Sequence, residues 1–350
     1  MGEGTAIGPD RVRALRQEKS TMRTRDLAAS LGLAEAEVLA AETGHSVTRI
    51  SADPDVLMPL MPAFGDVMAL TRNESAVIEK TGTYGDYTPG QHAAMVLSPA
   101  IDLRIFPKHW VHGFAVEEER GGTLRRSVQI FDAAGDAVHK IHIGQGAHAD
   151  AWPALLDKLR IADQSRMLDL SPRLPAEPAK ANPDKLDTLR AEWDRLTDTH
   201  QFLQMVRKLK MNRLGAYRIA GAPYVRPLAP DCLGALLDGL GEGGFPFMLF
   251  VGNRGCIEIH GGPAQTVKPS GPWLNILDPG FNLHLRGDHV AEVWAVTKPT
   301  KRGPALSVEA FDAQGGLILQ AFGMRVGDQD HTAPWEALVA TLPEAGEVSA

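Results

Sequence analysis

Cysteine is nearly absent. The 350 residues hold two, Cys232 and Cys256, too few and too far apart for a disulfide framework or a zinc cluster. A surplus of positive charge is also missing: 36 Lys and Arg stand against 43 Asp and Glu, a formal charge of −7. That balance leaves no electrostatic footprint for nucleic acid or an anionic membrane. Long apolar runs are lacking; "FPFMLFV" is only strand length, well short of the ~18 residues of a membrane span. The opening "MGEGTAIGPDRVRALRQEKS" has no apolar signal-peptide core. There is no HExxH pair and no serine in a nucleophile elbow. "GLGEGG" (239–244) follows a helical pattern and precedes a strand, the reverse of a dinucleotide fingerprint. The expectation is a cytoplasmic protein without membrane insertion or a nucleic-acid partner.

What the chain does have is a copy of itself. Asn73 matches Asn253, Pro99 matches Pro279, Leu103 matches Leu283, and Ser127 matches Ser307. Phe131-Asp132 matches Phe311-Asp312, and Gly135 matches Gly315. Every pair is offset by 180, so the register holds without a gap from about residue 67 to 142. "AWPALLDKL" and "PWEALVATL" close the two copies with a Trp-bearing helix after a small slip. A repeat of this length is a domain, too long for a solenoid unit.

Each copy begins with helical patterns, "TRDLAASLGLAEAEVLAAE" and "LDTLRAEWDRLTDTHQFLQMVRKL", and continues in short β-rich runs. "FDAAGDA" and "FDAQGGL" read as hairpin turns. Strands follow strands without helical crossovers, which predicts an α+β fold of two similar halves, each a large antiparallel sheet with flanking helices. The expected boundaries are residues 1–165 for the first repeat, 166–185 for a linker containing "SPRLPAEPAKANPDK", and 186–350 for the second repeat.

Two short segments invite chemistry. "LSPAIDLRIF" (97–106) reads as a strand with Ile101, Leu103 and Ile105 on its buried face and Asp102, Arg104 and Phe106 on the other. In the echo "LDPGFNLHLR" (277–286), His284 stands where Arg104 stood. Leu189, Trp193, Leu196, His200 and Leu203 fall on one helical stripe, so His200 interrupts an apolar seam, the usual place of a core histidine. "DTHQ" reads as a capping box from Asp198 to Gln201 that would start a new helix at Asp198. His200 would then sit in its first turn, where unpaired backbone donors favour the neutral, metal-binding imidazole. Lys208, Lys210 and Arg213, then Lys298, Lys301 and Arg302, gather basic charge near this helix. An alternative is a DNA-binding regulator using "RTRDLAASLGLAEAEVLAAETG" (23–44), which has the outline of a helix-turn-helix with Gly32 at the turn. Its second helix carries Glu35, Glu37 and Glu42 and no cation, which repels phosphate.

"FVGNRGCIEIHGGP", "GPWLNILDPGFNLHLR", "KPT", "AFGMR" and "DLRIF", set in a twofold repeat, resemble the cytoplasmic haemin-degrading and haem-trafficking proteins of bacterial haem uptake, the HemS/HmuS type. The resemblance runs from about residue 20 to 343. It implies one haem b per chain, lodged between a second-half helix and the first-half sheet. The proximal iron ligand falls on His200, the distal catalytic arginine on Arg104 and the nearby aromatic on Phe106. Propionate and polar contacts fall on Arg213, Lys298, Gln320 and Lys210. Relatives with extra histidines after the ligand differ from this chain, which has Gln201 and Phe202 there. The implied partners are haem, a haem ABC importer or a downstream haem acceptor, and an external reductase if the porphyrin is opened oxidatively. The residue types suit that assignment. An imidazole supplies an axial bond, a phenyl ring packs on the macrocycle, and cations neutralise propionates. Arg104 stays protonated, so it serves as a hydrogen-bond donor and not as a ligand.

Overall fold

The computed structural model describes residues 7–144, 150–326 and 329–346. The strands, in chain order, are β1 (Val47–Ile50), β2 (Asp66–Arg72), β3 (Ala76–Thr83), β4 (Asp86–Thr88), β5 (Ala94–Leu97), β6 (Asp102–Ile105), β7 (His112–Arg120), β8 (Thr123–Phe131) and β9 (Ala137–Ile143). The second copy supplies β10 (Val225–Leu228), β11 (Phe247–Gly252), β12 (Cys256–Gly262), β13 (Trp273–Asp278), β14 (Phe281–Arg286), β15 (Val290–Lys298), β16 (Ala305–Asp312) and β17 (Leu317–Gly323). An eight-stranded sheet runs β1-β7-β8-β9-β2-β3-β14-β13, and a nine-stranded sheet runs β10-β15-β16-β17-β11-β12-β6-β5-β4. The predicted α+β class with large antiparallel sheets is what forms.

The strand orders add a feature that the repeat pattern does not contain. The halves are not self-contained: each sheet takes six strands from one repeat and finishes with strands of the other. The compact units exchange less, only the hairpin tips at residues 73–78 and 252–258. One comprises residues 1–72, 79–174 and 252–258; the other comprises 73–78, 175–251 and 259–350. Two asparagines hold the exchanged hairpin tips. Asn253 donates through Nδ2 to Val138 O at 2.8 Å, and Asn73 donates to Ile318 O at 2.8 Å, partners again offset by 180. In each tip the same asparagine's Oδ1 also accepts two backbone N–H groups, those of Gly255 and Cys256 or of Ser75 and Ala76.

Ten helices complete the described fold: α1 (Pro9–Glu18), α2 (Thr24–Leu31), α3 (Glu35–Ala40), α4 (Pro54–Leu57), α5 (Ala151–Leu159), α6 (Leu186–Asp194), α7 (Gln201–Lys208), α8 (Arg213–Ala220), α9 (Cys232–Gly243) and α10 (Thr332–Thr341). The closing helices α5 and α10 bury Trp152 and Trp335 as the repeat predicts. Both "FDA" turns form, with Gly135 and Gly315 at φ +79° and +86°, a region that favours glycine. "GLGEGG" is the end of α9, closed by Gly244 in the left-handed conformation.

The helix-turn-helix outline is present as α2, Gly32 and α3, but α3 is no recognition helix. Five of its six residues are buried, and Glu35 pairs with Lys140. A helix whose sides are already covered has no face to lay in a groove. The linker is also less free than its composition suggests. Arg166 donates to Ala41 O, Ser171 N donates to Ala133 O, and Lys180 N donates to Asn212 Oδ1. No helix is long and apolar enough to cross a membrane among the described residues.

Candidate functional site

His200 departs from the seam reading. The helical stripe does not run through it, because the chain breaks between α6 and α7. Leu189, Trp193 and Leu196 are buried, whereas the His200 side chain is 94% exposed. The predicted break is there, but the capping box from Asp198 does not form and the new helix starts later than predicted. Gln201 Oε1 accepts from Thr197 N at 2.9 Å and not from Asp198 N. Helix α7 starts at Gln201, with His200 as its N-cap. Asp198 Oδ1 accepts instead from His200 N at 2.8 Å and from His200 Nδ1 at 2.6 Å. These bonds from His200 hold the Asp198 carboxyl below the usual carboxylate range. Phe202, buried two residues on, locks α7 onto α6 through an edge contact with Trp193 at 4.7 Å between ring centroids. The imidazole is therefore mounted on a packed base, with Nδ1 tied and Nε2 outward. That is the usual posture of a metal-ligating histidine with a carboxylate behind it.

Two of the second-repeat cations, Arg213 and Lys298, converge on one acid that sequence reasoning missed. Glu309, on β16, is fully buried. Its Oε2 accepts from Arg213 Nη1 at 2.6 Å and from Tyr217 Oη at 2.9 Å. Its Oε1 accepts from Lys298 Nζ at 2.7 Å and from Ser307 Oγ at 2.9 Å. Burial would raise the Glu309 carboxyl, but Lys298 and Arg213 outweigh it and hold the group well below its ordinary value. Lys298 is only 3% exposed, and burial pushes its ammonium down against the pull of Glu309. The Arg213 side chain stays 20% exposed. It opens α8, whose N-cap Asn212 accepts from Gly215 N at 2.9 Å. Gln320 is half-buried on β17, directly opposite Glu309 in register. Lys210 is exposed between α7 and α8 at φ +59°, an unusual conformation for a side-chain-bearing residue. The preceding turn is closed by Met211 N donating to Val206 O at 2.9 Å.

Arg104 lies on β6. The span 97–106 is not one strand: Leu97 ends β5, and a turn through Pro99 precedes β6. The alternation still holds, with Ile101, Leu103 and Ile105 fully buried. Arg104 Nη1 pairs with Asp102 and donates to Leu103 O at 3.1 Å, leaving the side chain 32% exposed. Phe106 stands just past the strand end, half-buried, its N–H donating to Gly255 O at 2.9 Å. In the second copy, His284 Nδ1 bonds Asn275 Oδ1 at 2.8 Å.

A second buried polar cluster also escaped sequence reasoning. His139 Nε2 bonds Tyr84 Oη at 2.6 Å, and its Nδ1 bonds Thr71 Oγ1 at 2.9 Å. Burial drives His139 down to about 3, so the ring is neutral. Glu258 lies 3.9 Å from Nδ1, and neither carboxylate oxygen meets a hydrogen-bond partner among the described residues. Burial pushes it up to about 8. The positions offset by 180 from Thr71, Tyr84, His139 and Glu258 are Val251, Ala264, Leu319 and Ile78, all buried and apolar. Both missed acids had one signal, an acidic residue inside a β-rich apolar run, "SVEAF" and "CIEIH".

Comparison with known proteins gives a single answer. Residues 32–159 and 210–342 match the haemin-degrading HemS.ChuX domain. Hemin transport protein HmuS of Yersinia pestis is 35% identical over 319 residues, 91% of this chain and 92% of that protein. Hemin transport protein HemS of Yersinia enterocolitica is 35% identical over 320 residues, with the same coverage. The crystal structure of holo-PhuS, a heme-binding protein from Pseudomonas aeruginosa, superposes with a TM-score of 0.91 at 38% identity, covering 97% of this chain and all of that one. The heme-degrading enzyme ChuS of Escherichia coli gives 0.87 at 30% identity, covering 95% and 98%. With two matching domains, relatives along almost its full length and the same fold, this chain belongs to the haemin-degrading HemS.ChuX family.

Proposed function

We propose that this protein binds one haem b per chain in the bacterial cytoplasm, accepting it after import and passing it on or opening it oxidatively to release iron. The observation that carries the reading is His200: an imidazole held at Nδ1 by Asp198, exposed at Nε2, at the N-terminus of an amphipathic helix. The residues present suit the ligand. His200 would supply the axial bond, Phe106 would pack on the macrocycle, and Arg213, Lys298, Gln320 and Lys210 would serve the propionate edge. Arg104 would act on the distal side as a fixed donor, since its guanidinium cannot lose a proton. Bound haem would supply the iron chemistry, with dioxygen and an external electron donor. This chain's residues would orient the disc and place donors. Holo-PhuS and the ChuS enzyme support haem as the ligand by name.

The test is a haem titration followed by turnover. A sharp Soret band saturating at one haem per chain is expected, and no Soret change overturns the reading. Aerobic incubation of the complex with a reductase, with product analysis, separates the two fates. An opened tetrapyrrole marks degradation; intact haem that moves to an acceptor protein marks trafficking.

A further inference from the structure

The second repeat buries a charged acid where the first buries a neutral amide. The position offset by 180 from Glu309 is Gln129, which donates through Nε2 to Ser127 Oγ at 3.0 Å. Ser127 and Ser307 correspond, so the same pair of strands forms without ionised groups, with Gln129 Oε1 meeting no hydrogen-bond partner among the described residues. Replacing buried charges by neutral groups of similar size is often stabilising. A buried acid with two cations is therefore not a demand of the sheet. Its charges do not cancel either. Arg213 and Lys298 bring two positive charges to the single negative charge of Glu309, and no second carboxylate pairs with either cation among the described residues. Phe202 and Tyr217 present ring faces to the Lys298 ammonium, with centroids at 4.9 and 5.3 Å, supporting the cation without neutralising it. Both carboxylate oxygens of Glu309 are saturated by four donors, which fixes the place of each cation.

We infer that Glu309 is a positioning residue: it gathers Arg213 and Lys298 around one point, so that one surplus positive charge is held ready for a carboxylate of the ligand. This rests on the haem reading and narrows it, since the cluster would recognise the carboxylate edge of the disc and not its apolar face. A freely mobile guanidinium would spend rotamer entropy on each encounter. One tied by Glu309 has already lost it.

The test compares haemin with haemin dimethyl ester, which keeps the disc and the iron but masks both carboxylates. Soret titrations use the full chain as wild type, Glu309→Gln and Glu309→Asp. The wild type is expected to prefer haemin by about tenfold or more, the scale of one charge-assisted contact. Both variants should cut the preference below about threefold while leaving ester affinity within about threefold. A preference unchanged or increased in Glu309→Gln overturns the inference. So does full retention in Glu309→Asp, which keeps the charge but withdraws it by one methylene. If Glu309→Gln fails to fold, Glu309→Asp alone decides. A wild type that binds both ligands equally sinks this inference and leaves haem binding standing. A wild type that binds neither sinks the haem reading itself.

Discussion

The Nδ1 of His200 sits 2.6 Å from Oδ1 of Asp198, and the same oxygen takes the His200 backbone N–H at 2.8 Å. An ionised carboxylate only accepts, so the ring hydrogen in this pair is on Nδ1, and the lone pair for a metal is on Nε2. Asp198→Ala frees the ring to rotate. Haem affinity is expected to fall about 10- to 100-fold, with one-to-one stoichiometry retained. His200→Ala removes the axial bond and should shift the Soret band. An unchanged spectrum in that variant withdraws the ligand assignment.

Arg104 makes a different kind of contribution. Its pairing with Asp102 and its bond to Leu103 O set the guanidinium at one place on the half-exposed strand face. Arg104→Ala should leave haem stoichiometry unchanged and slow the aerobic, reductase-driven loss of the Soret band. Arg104→Lys should not restore the rate, because a point charge lacks the planar fork. Equal rates in all three proteins would remove the distal role.

Glu258 predicts an alkaline weakness. Its value lies near 8 in the folded chain against 4.5 in the unfolded one. The penalty is absent below pH 4.5, grows as the pH rises, and is complete beyond about 8. His139 runs the other way, near 3 against 6.5. Its contribution is whole above pH 6.5 and is lost as the pH falls toward 3. Glu258→Ile installs the residue found at the matching position, Ile78. The decline in stability between about pH 4.5 and 8 should flatten in denaturant titrations, although the buried Lys80 loses the attraction of this acid. An unchanged alkaline decline would refute the account.

Gly135 tests the first hairpin. At φ +79° a side chain is strained, and a Cβ would lie 2.7 Å from Ala34 Cβ. Gly135→Ala should cost at least about 1–2 kcal/mol from the backbone alone, read as a lower melting temperature. An unchanged melting temperature would contradict this packing.

Much of this was legible in the sequence, and what was not has physical reasons. The offset of 180, the "FDA" turns, the Trp helices and the alternation of Leu103 and Ile105 all came from pattern. The sharing of each sheet between repeats did not, because alternation says which face is buried and not which strand lies alongside. The stripe from Leu189 to Leu203 seats His200 on a seam only in an unbroken helix; "DTHQ" marks a break, yet the new helix begins at Gln201 and not at Asp198. Asp198 bonds the His200 backbone and ring instead, local bonds that compete with helical ones. Glu309 and Glu258 stayed hidden because a lone acid in an apolar strand gives no clue to its partners. Arg213 is 96 residues from Glu309 in the chain.

The two hairpin asparagines carry a historical consequence. Asn73 reaches Ile318, and Asn253 reaches Val138, the same bond written twice with the copies interchanged. Reciprocal bonds of this kind are what a strand-swapped dimer of single-copy chains would leave after fusion, each copy keeping the anchor of its twin.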